Sequence, residues 1–375
     1  MLRKTHMEGV FYMSVTLFTS ESVTSGHPDK ICDLIADSIL DEAIRQDPDA
    51  HMAVEATIKD DLILVYGEAG TTAEIDYEAV AKKVLKDIGF DEEYHVMLKV
   101  NRQSPEINSA VRGSETAAGD QGIMFGFACN ETESLMPFAI DCAHRLARRL
   151  EEVRRKDARL RPDGKTQVTA EYRDGKLSRI DTILISTQHS PETSWQEISD
   201  LMKEQVIRPV VNPDLIDENT KFMINPSGSF TIGGSWGDSG TTGRKIVVDS
   251  YGGYAPIGGG CFSSKDPTKV DRSAAYFARY ICRNVVANEL AERVQLQLSY
   301  AIGKPEPVSI NVTTFGTGRF DDDRLLEIIR NNFRFSVESI IQELDLRRPI
   351  YTSTTNYGHF GRKELPWEQF RKISF

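Results

Sequence analysis

Residues 228–272 read GSFTIGGSWGDSGTTGRKIVVDSYGGYAPIGGGCFSSKDPTKVDR, and the rest of the chain is organised around them. Between Gly228 and Gly260 stand 11 of the chain's 27 glycines. Glycine lacks a Cβ and admits positive φ, so backbone here can approach a ligand closely. Five cations (Arg244, Lys245, Lys265, Lys269, Arg272) and four carboxylates (Asp238, Asp249, Asp266, Asp271) are interleaved with it. The local balance is therefore +1 in a protein of net charge −11. Cations meet phosphate oxygens and carboxylates hold Mg2+, so the mixture suits a metal-bound polyphosphate. Glycine clusters alone more often mark turns between strands; the GRK and KDPTKVDR runs favour the phosphate reading. The sequence has no G-x-x-x-x-G-K-[ST] and no G-x-G-x-x-G after a strand. A nucleotide site here is thus neither a P-loop nor a dinucleotide-binding Rossmann unit.

At 375 residues the chain has room for two or three domains with ample core. Its hydrophobic fraction of 40% and charged fraction of 27% are ordinary for a globular protein. No apolar run approaches a membrane span. The start, MLRKTHMEGVFYMS, has no sustained apolar region or cleavage site, so no signal peptide is expected, and Met13 offers an alternative start. Five cysteines (32, 129, 142, 261, 282) form no C-x-x-C pair, which suggests free thiols in a reducing cytoplasm. The acidic balance argues against general nucleic-acid binding, and an anionic substrate must be drawn in by a local cluster.

Along the chain, TSESVTSGHPD (19–29) runs into a helix, KICDLIADSILDEAIRQ, with Pro28 at the first helical position. His27 and Asp29 therefore flank a helix N-terminus, where free N–H groups attract anions; capping and dipole roles would serve equally well alone. MAVEATIK and LILVYGEAG form a hairpin turning at Asp60-Asp61 and carrying Glu55 and Glu68. A helix near 71–90 and a strand, YHVMLKV, follow. The stretch 101–122 has few large apolar residues and no period, and reads as a lid with Gly113, Gly119 and Gly122 as hinges. The strand-like IMFGFAC precedes a helix, a hairpin turning at Asp174-Gly175 and another helix. The last third repeats helix, two strands and helix. Three helix–hairpin–helix units predict an α+β protein of three similar domains, each a small mostly antiparallel sheet with helices on one face. His51, His95, His144 and His189 share no metal-ligand spacing and read as structural.

From about Thr16 onward the chain resembles the S-adenosylmethionine synthetases (methionine adenosyltransferases). The resemblance is carried by FTSESVTSGHPDK, AAGDQGIMFGFACNET, INPSGSF with IGG, GDSGTTGRKIVVD and GGGCFSSKDPTKVDRSAAYFARY, in this order. It implies a pseudo-threefold set of domains, placed here at 16–113, 114–232 and 233–375 after an extension over 1–15. It also implies a cytoplasmic homodimer, usually paired into a tetramer, with active sites shared between subunits. The implied reaction is attack of the methionine sulfur on C5′ of ATP, then hydrolysis of the displaced triphosphate to phosphate and pyrophosphate. Carried over position by position, His27 lies beside the leaving oxygen or the phosphates. Asp29 and Asp271 bind Mg2+ (two ions per site) from opposite sides of the interface, and Glu55 corresponds to the K+ ligand. Glu68, Gln103, Asp120 and Lys269 line the methionine side. Asp163, Lys165, Ser229, Phe230, Asp238, Arg244, Lys245, Cys261 and Lys265 hold ATP, with Asp238 also facing the methionine ammonium. His27, Lys165, Arg244, Lys245 and Lys265 form the catalytic set.

Some positions depart from the family pattern: Ala117 and Ser264 stand where glycine is usual, Cys261 for Ala, Ser229 for Arg and Ser239 for Cys. The charged positions are intact. Two other classes compete on sequence alone: a different Mg-ATP-dependent transferase or ligase, and a non-enzymatic nucleic-acid binder, disfavoured by pI ≈ 5.3. Because the resemblance begins after residue 12, a chain started at Met13 is expected to keep its melting temperature and activity. Loss of folding in that shortened chain would show that the extension packs on the body.

Overall fold

The computed structural model describes residues 14–102 and 116–375. Residues 1–12, Gln103 and most of the stretch read as a lid lie outside the described residues. Eleven strands are described: β1 (Val15–Val23), β2 (His51–Lys59), β3 (Leu62–Gly70), β4 (His95–Arg102), β5 (Gly122–Cys129), β6 (Leu160–Arg173), β7 (Lys176–His189), β8 (Lys221–Ile224), β9 (Gly240–Thr241), β10 (Arg293–Tyr300) and β11 (Ser309–Thr313). The longer helices are α1 (Pro28–Gln46), α2 (Tyr77–Ile88), α3 (Phe138–Arg154), α4 (Trp195–Leu201), α5 (Val270–Ala287), α6 (Asp322–Asn332) and α7 (Val337–Glu343).

The architecture is α+β with three small sheets, ordered β4-β3-β2-β9, β1-β6-β7-β8 and β11-β10-β5. All neighbours are antiparallel except β3 with β4 and β7 with β8. Each sheet carries a long helix: α1 on β2, α3 on β6 and β1, α5 on β5 and β10. The hairpins form where alternation and turn chemistry place them. Asp174 (φ 49°) and Gly175 (φ 77°) supply the two left-handed residues that a tight primed turn requires.

The sheets do not follow the three consecutive units seen in the sequence. β1, near the start, pairs along its length with β6, from Val15 opposite Arg173 to Val23 opposite Lys165. β5 crosses to β10, and β9 adds Thr241 and Gly240 beside Thr57 and Ile58 of β2. A lone two-stranded hairpin is marginal in water and leaves edges unpaired; a strand from elsewhere in the chain supplies the missing partner. The apolar residues bury into two cores. One joins the α1 and α5 layers, with Ile31, Ile35, Ala274 and Phe277 at 0% exposure; the other lies under the β6–β7 hairpin.

Helix α1 is buried on nearly every side, aspartates included. Asp29, Asp33, Asp37 and Asp41 recur every four residues, so they lie in one row along the helix. Each accepts hydrogen bonds from a different later segment: Asp29 from the Thr241 N–H (3.0 Å), Asp33 from Gly243 (2.8 Å), Asp37 from Ser264 (3.1 Å) and Asp41 from Tyr351 (2.9 Å). Asp37 also takes a bidentate pair from Arg272 at 2.7 and 2.9 Å. The row thus pins the glycine-rich stretch to the first sheet's helix.

Close approach of α5 to its sheet depends on Gly126 in β5. A Cβ there would lie 2.2 Å from the Ala278 carbonyl. Gly126→Ala is expected to destabilise the protein by about 1–3 kcal/mol through overpacking, read as a lowered urea midpoint. An unchanged midpoint would mean that the helix–sheet contact is loose.

Candidate active site

The N-terminus of α1 is the first component. His27 caps the helix: its Nδ1 accepts the Asp29 N–H at 3.2 Å, and Pro28 follows at the first helical position. That bond puts the ring proton of the neutral imidazole on Nε2. Burial first, then the Lys245 and Lys165 charges, bring the His27 pKa from 6.5 down to about 2. The side chain therefore faces the site neutral, as a donor. Asp29 lies directly behind, with Lys245 Nζ 2.5 Å from its Oδ2 and Arg244 Nε 3.4 Å from its Oδ1. Arg244 itself is half-exposed.

The second component comes from β6 and the turn after Ser229. Asp163 Oδ2 accepts the Gly234 N–H at 2.8 Å. Its other oxygen, Oδ1, is buried without a hydrogen-bond partner among the described residues. Burial raises the Asp163 pKa to about 6, against the pull of Gly234 N–H and the Lys165 charge. Asp238 is close enough to raise the pKa of both His27 and Asp163. The Phe230 carbonyl accepts the His189 N–H at 2.9 Å, and the Phe230 N–H donates to the His189 imidazole Nε2 at 3.1 Å. Ser229 is exposed beside it.

The third component is the loop 260–271. Lys265 sits opposite Ala53 of β2 in an isolated bridge, and its Nζ lies 2.5 Å from Asp271 Oδ2. Glu55, two residues along the same strand and on the same face as Ala53 and Thr57, falls between the positions paired with Lys265 and Thr241. Tyr66 donates its hydroxyl to Glu55 at 3.2 Å. Cys261 packs against Gly243, where a Cβ would come within 2.7 Å of the cysteine Cβ. Burial pushes its thiol up to about 11, the charge of Lys265 notwithstanding. All five cysteines are free thiols.

These observations bring His27, Asp29, Asp163, Lys165, Asp238, Arg244 and Lys245 into one neighbourhood, with Glu55, Cys261, Lys265 and Asp271 along the adjoining strand and loop. Lys269 is placed differently from an open lining residue: it is buried and paired with Asp266 at 2.6 Å. Glu68 and Asp120 are exposed, and the loop of Asp120 is tied to Lys269's neighbour through the Gly119 N–H and the Thr268 carbonyl (3.1 Å). Ser264 adopts φ 81°, the left-handed region that favours glycine. Its N–H bond to Asp37 holds it there, beside Lys265. Sequence reasoning missed Asp33 and Asp37 and gave Asp266 and Arg272 only as members of the charged run, not as buried supports, although the four-residue spacing of aspartates in α1 was a usable signal.

Among the described residues, no group of three or more His, Cys, Asp or Glu side chains is gathered for a metal ion. Asp29 and Asp271 each stand as a single hard carboxylate beside lysine. That donor set fits Mg2+ in one manner: one or two carboxylates from protein, with the rest of the shell from substrate phosphates and water.

The chain matches the S-adenosylmethionine synthetase N-terminal domain over residues 15–112, the central domain over 115–230 and the C-terminal domain over 232–369. It belongs to the S-adenosylmethionine synthetase family. This synthetase is a methionine adenosyltransferase, joining ATP and methionine into S-adenosylmethionine. The glycine-rich stretch around Arg244 and Lys245 lies wholly within the matched C-terminal domain. No helix among the described residues is long and apolar enough to cross a membrane.

The neutral state of His27 has a measurable consequence. Unfolded His27 takes a proton below about pH 6.5, whereas the folded ring stays neutral down to about 2. The unfolded state then binds more protons, so this residue costs stability as pH falls through that window. His27→Asn keeps a capping acceptor and removes the cost. Between pH 7 and 5 the variant should gain about 2 kcal/mol on the wild type in urea unfolding. A constant gap would mean that His27 is protonated in the folded protein.

Proposed function

We propose that the synthetase reaction proceeds here by attack of the methionine sulfur on C5′ of ATP, releasing the whole triphosphate, which the same site then hydrolyses to phosphate and pyrophosphate. The observation that carries this reading is the cluster of Arg244, Lys245 and Lys165 around a neutral, buried His27 at a helix N-terminus. A thioether already has its lone pair, so no general base is needed. The requirements are alignment and stabilisation of a leaving group that gains charge. Lys165, Arg244, Lys245 and Lys265 meet the triphosphate oxygens, and His27 Nε2–H donates to the bridging or a phosphate oxygen. Asp163, Ser229, Phe230, Asp238 and Cys261 complete the nucleotide site. Glu68, Gln103 and Asp120 face methionine, with Asp238 at its ammonium; Lys269, carried over to the same side, stands behind them on Asp266.

Asp29 and Asp271 would hold Mg2+, two ions per site, and Glu55 would hold K+; Mg2+ supplies neutralisation of triphosphate charge. In the described structure Lys245 occupies Asp29 and Lys265 occupies Asp271, and each would be released to turn to phosphate as the cations bind. The working unit is a homodimer or a pair of dimers with shared sites, in the cytoplasm. The alternative, another Mg-ATP-dependent transferase or ligase, is separated by products. Incubation with ATP and methionine should yield S-adenosylmethionine, phosphate and pyrophosphate; ADP or AMP as the nucleotide product would sink the reading.

Arg244 tests the assignment most directly. Its guanidinium offers forked donors to phosphate oxygens. A cation already in place stabilises the growing charge more than the ground state, so its loss falls on kcat. Arg244→Leu should assemble normally and lose on the order of 10²–10³ in kcat. Triphosphate hydrolysis should slow as well, while methionine KM changes far less. Near-normal kcat for both steps would make Arg244 a turn residue.

A further inference from the structure

Away from the site, a cleft of about 470 Å3 opens between the stretch 306–310 and the turn joining α6 to α7. That volume falls in the range of roughly 300–1,000 Å3 usual for small-molecule sites. Arg330, Arg334, Ser336 and Ser339 stand on one wall, and Glu306 and Ser309 on the other. Both arginines are exposed, and among the described residues neither side chain has a hydrogen bond or ion pair. This is notable in a chain of net charge −11, where acids are plentiful. With Glu306 counted, two positive charges less one negative leave the cleft at +1. Guanidinium forks match the paired oxygens of phosphate and carboxylate alike.

The cleft is also joined to the loop that carries Asp120. Gly303 N–H donates to the Ala118 carbonyl (2.9 Å), and Ala118 N–H to the Lys304 carbonyl (3.0 Å). On the other wall, Val337 N–H donates to Pro305 O at 3.0 Å, and Thr116 hydroxyl donates to Glu338. Both walls thus meet residues 116–118, immediately before Asp120.

We propose that this cleft binds a small, multiply charged oxyanion, a phosphate compound or a polycarboxylate, and that occupancy alters the order of the loop 117–122. The binding half stands on the cleft alone; its effect on turnover rests on the reading of Asp120 as a methionine-side residue. An anion held by both arginines and met across the cleft by Ser309 draws 306–310 and the α6–α7 turn together, and the paired backbone of 303–305 carries that change to Ala118.

The test uses the full chain saturated with methionine and a nonhydrolysable ATP analogue, so that the triphosphate site is filled. Titration calorimetry with pyrophosphate, and separately with citrate, should find one further site per chain for at least one of them. Binding of pyrophosphate alone assigns a phosphate ligand, and of citrate alone a polycarboxylate. In the double variant Arg330→Gln/Arg334→Gln that site should weaken by roughly tenfold or more for each charged bond lost. Its kcat without added anion should stay unchanged. Hydrogen exchange at 117–122 should slow on anion addition in the wild type and not in the variant. Absence of a further site for both probes, or equal binding by the variant, overturns the site. Binding without any change in exchange overturns the link to the loop.

Discussion

The row of buried aspartates on α1 is the constraint on which the site depends. A carboxylate in a low-dielectric interior must be met by donors or it is costly. Four in a row, at Asp29, Asp33, Asp37 and Asp41, therefore demand four sets of donors, and the chain supplies them from segments more than 200 residues downstream. Those donors are largely backbone N–H groups, so what the row fixes is main-chain position. The stretches bearing Arg244, Lys245 and Lys265 cannot drift from helix α1 without stranding a buried charge. Hydrophobic contact could hold the same layers together, but it lacks the directionality needed to set a loop against a helix terminus.

The same principle extends one shell outward. Lys30 bridges Asp33 at 3.0 Å and Asp249 at 2.6 Å, all three buried. Arg272 joins Asp37 to the Lys265 carbonyl and lies over the Tyr351 ring. Among the cations nearest the proposed triphosphate position, by contrast, each of Arg244, Lys245 and Lys265 is held by one carboxylate, Asp29 or Asp271. Support is multiply bonded; the groups that must change partner each hold one carboxylate.

Much of the fold was legible because local rules decided it. Hairpin turns at Asp60-Asp61 and Asp174-Gly175, the Pro28 helix start and the long amphipathic helices all emerge where periodicity and turn residues put them. What escaped was non-local. The strand character of 15–23 was not evident beside the polar TSES run, since its pairing is with residues some 150 positions away. The site was legible in its charged residues and their order, whereas Asp37 looks like an ordinary solvated charge, and Arg272 like one more phosphate cation, until the fold buries them together. Lys269 shows the converse: a basic loop residue by sequence, it is committed to Asp266 in the interior.

The exchange of strands between sheets bears on how the chain is made. As the protein is synthesised from its N-terminus, β1 emerges first and must wait for residues 160–173, while β2 lacks its β9 neighbour until residue 241 is out. β5 in turn has no partner until β10 at 293–300. No third of the nascent chain can close its own sheet, so exposed strand edges persist through most of translation, when pairing with the wrong neighbour is the characteristic hazard. Burying ionised groups in the interface between early and late segments has a further effect there. Premature collapse around α1 would trap unpaired carboxylates, which favours an open helix until its distant donors arrive.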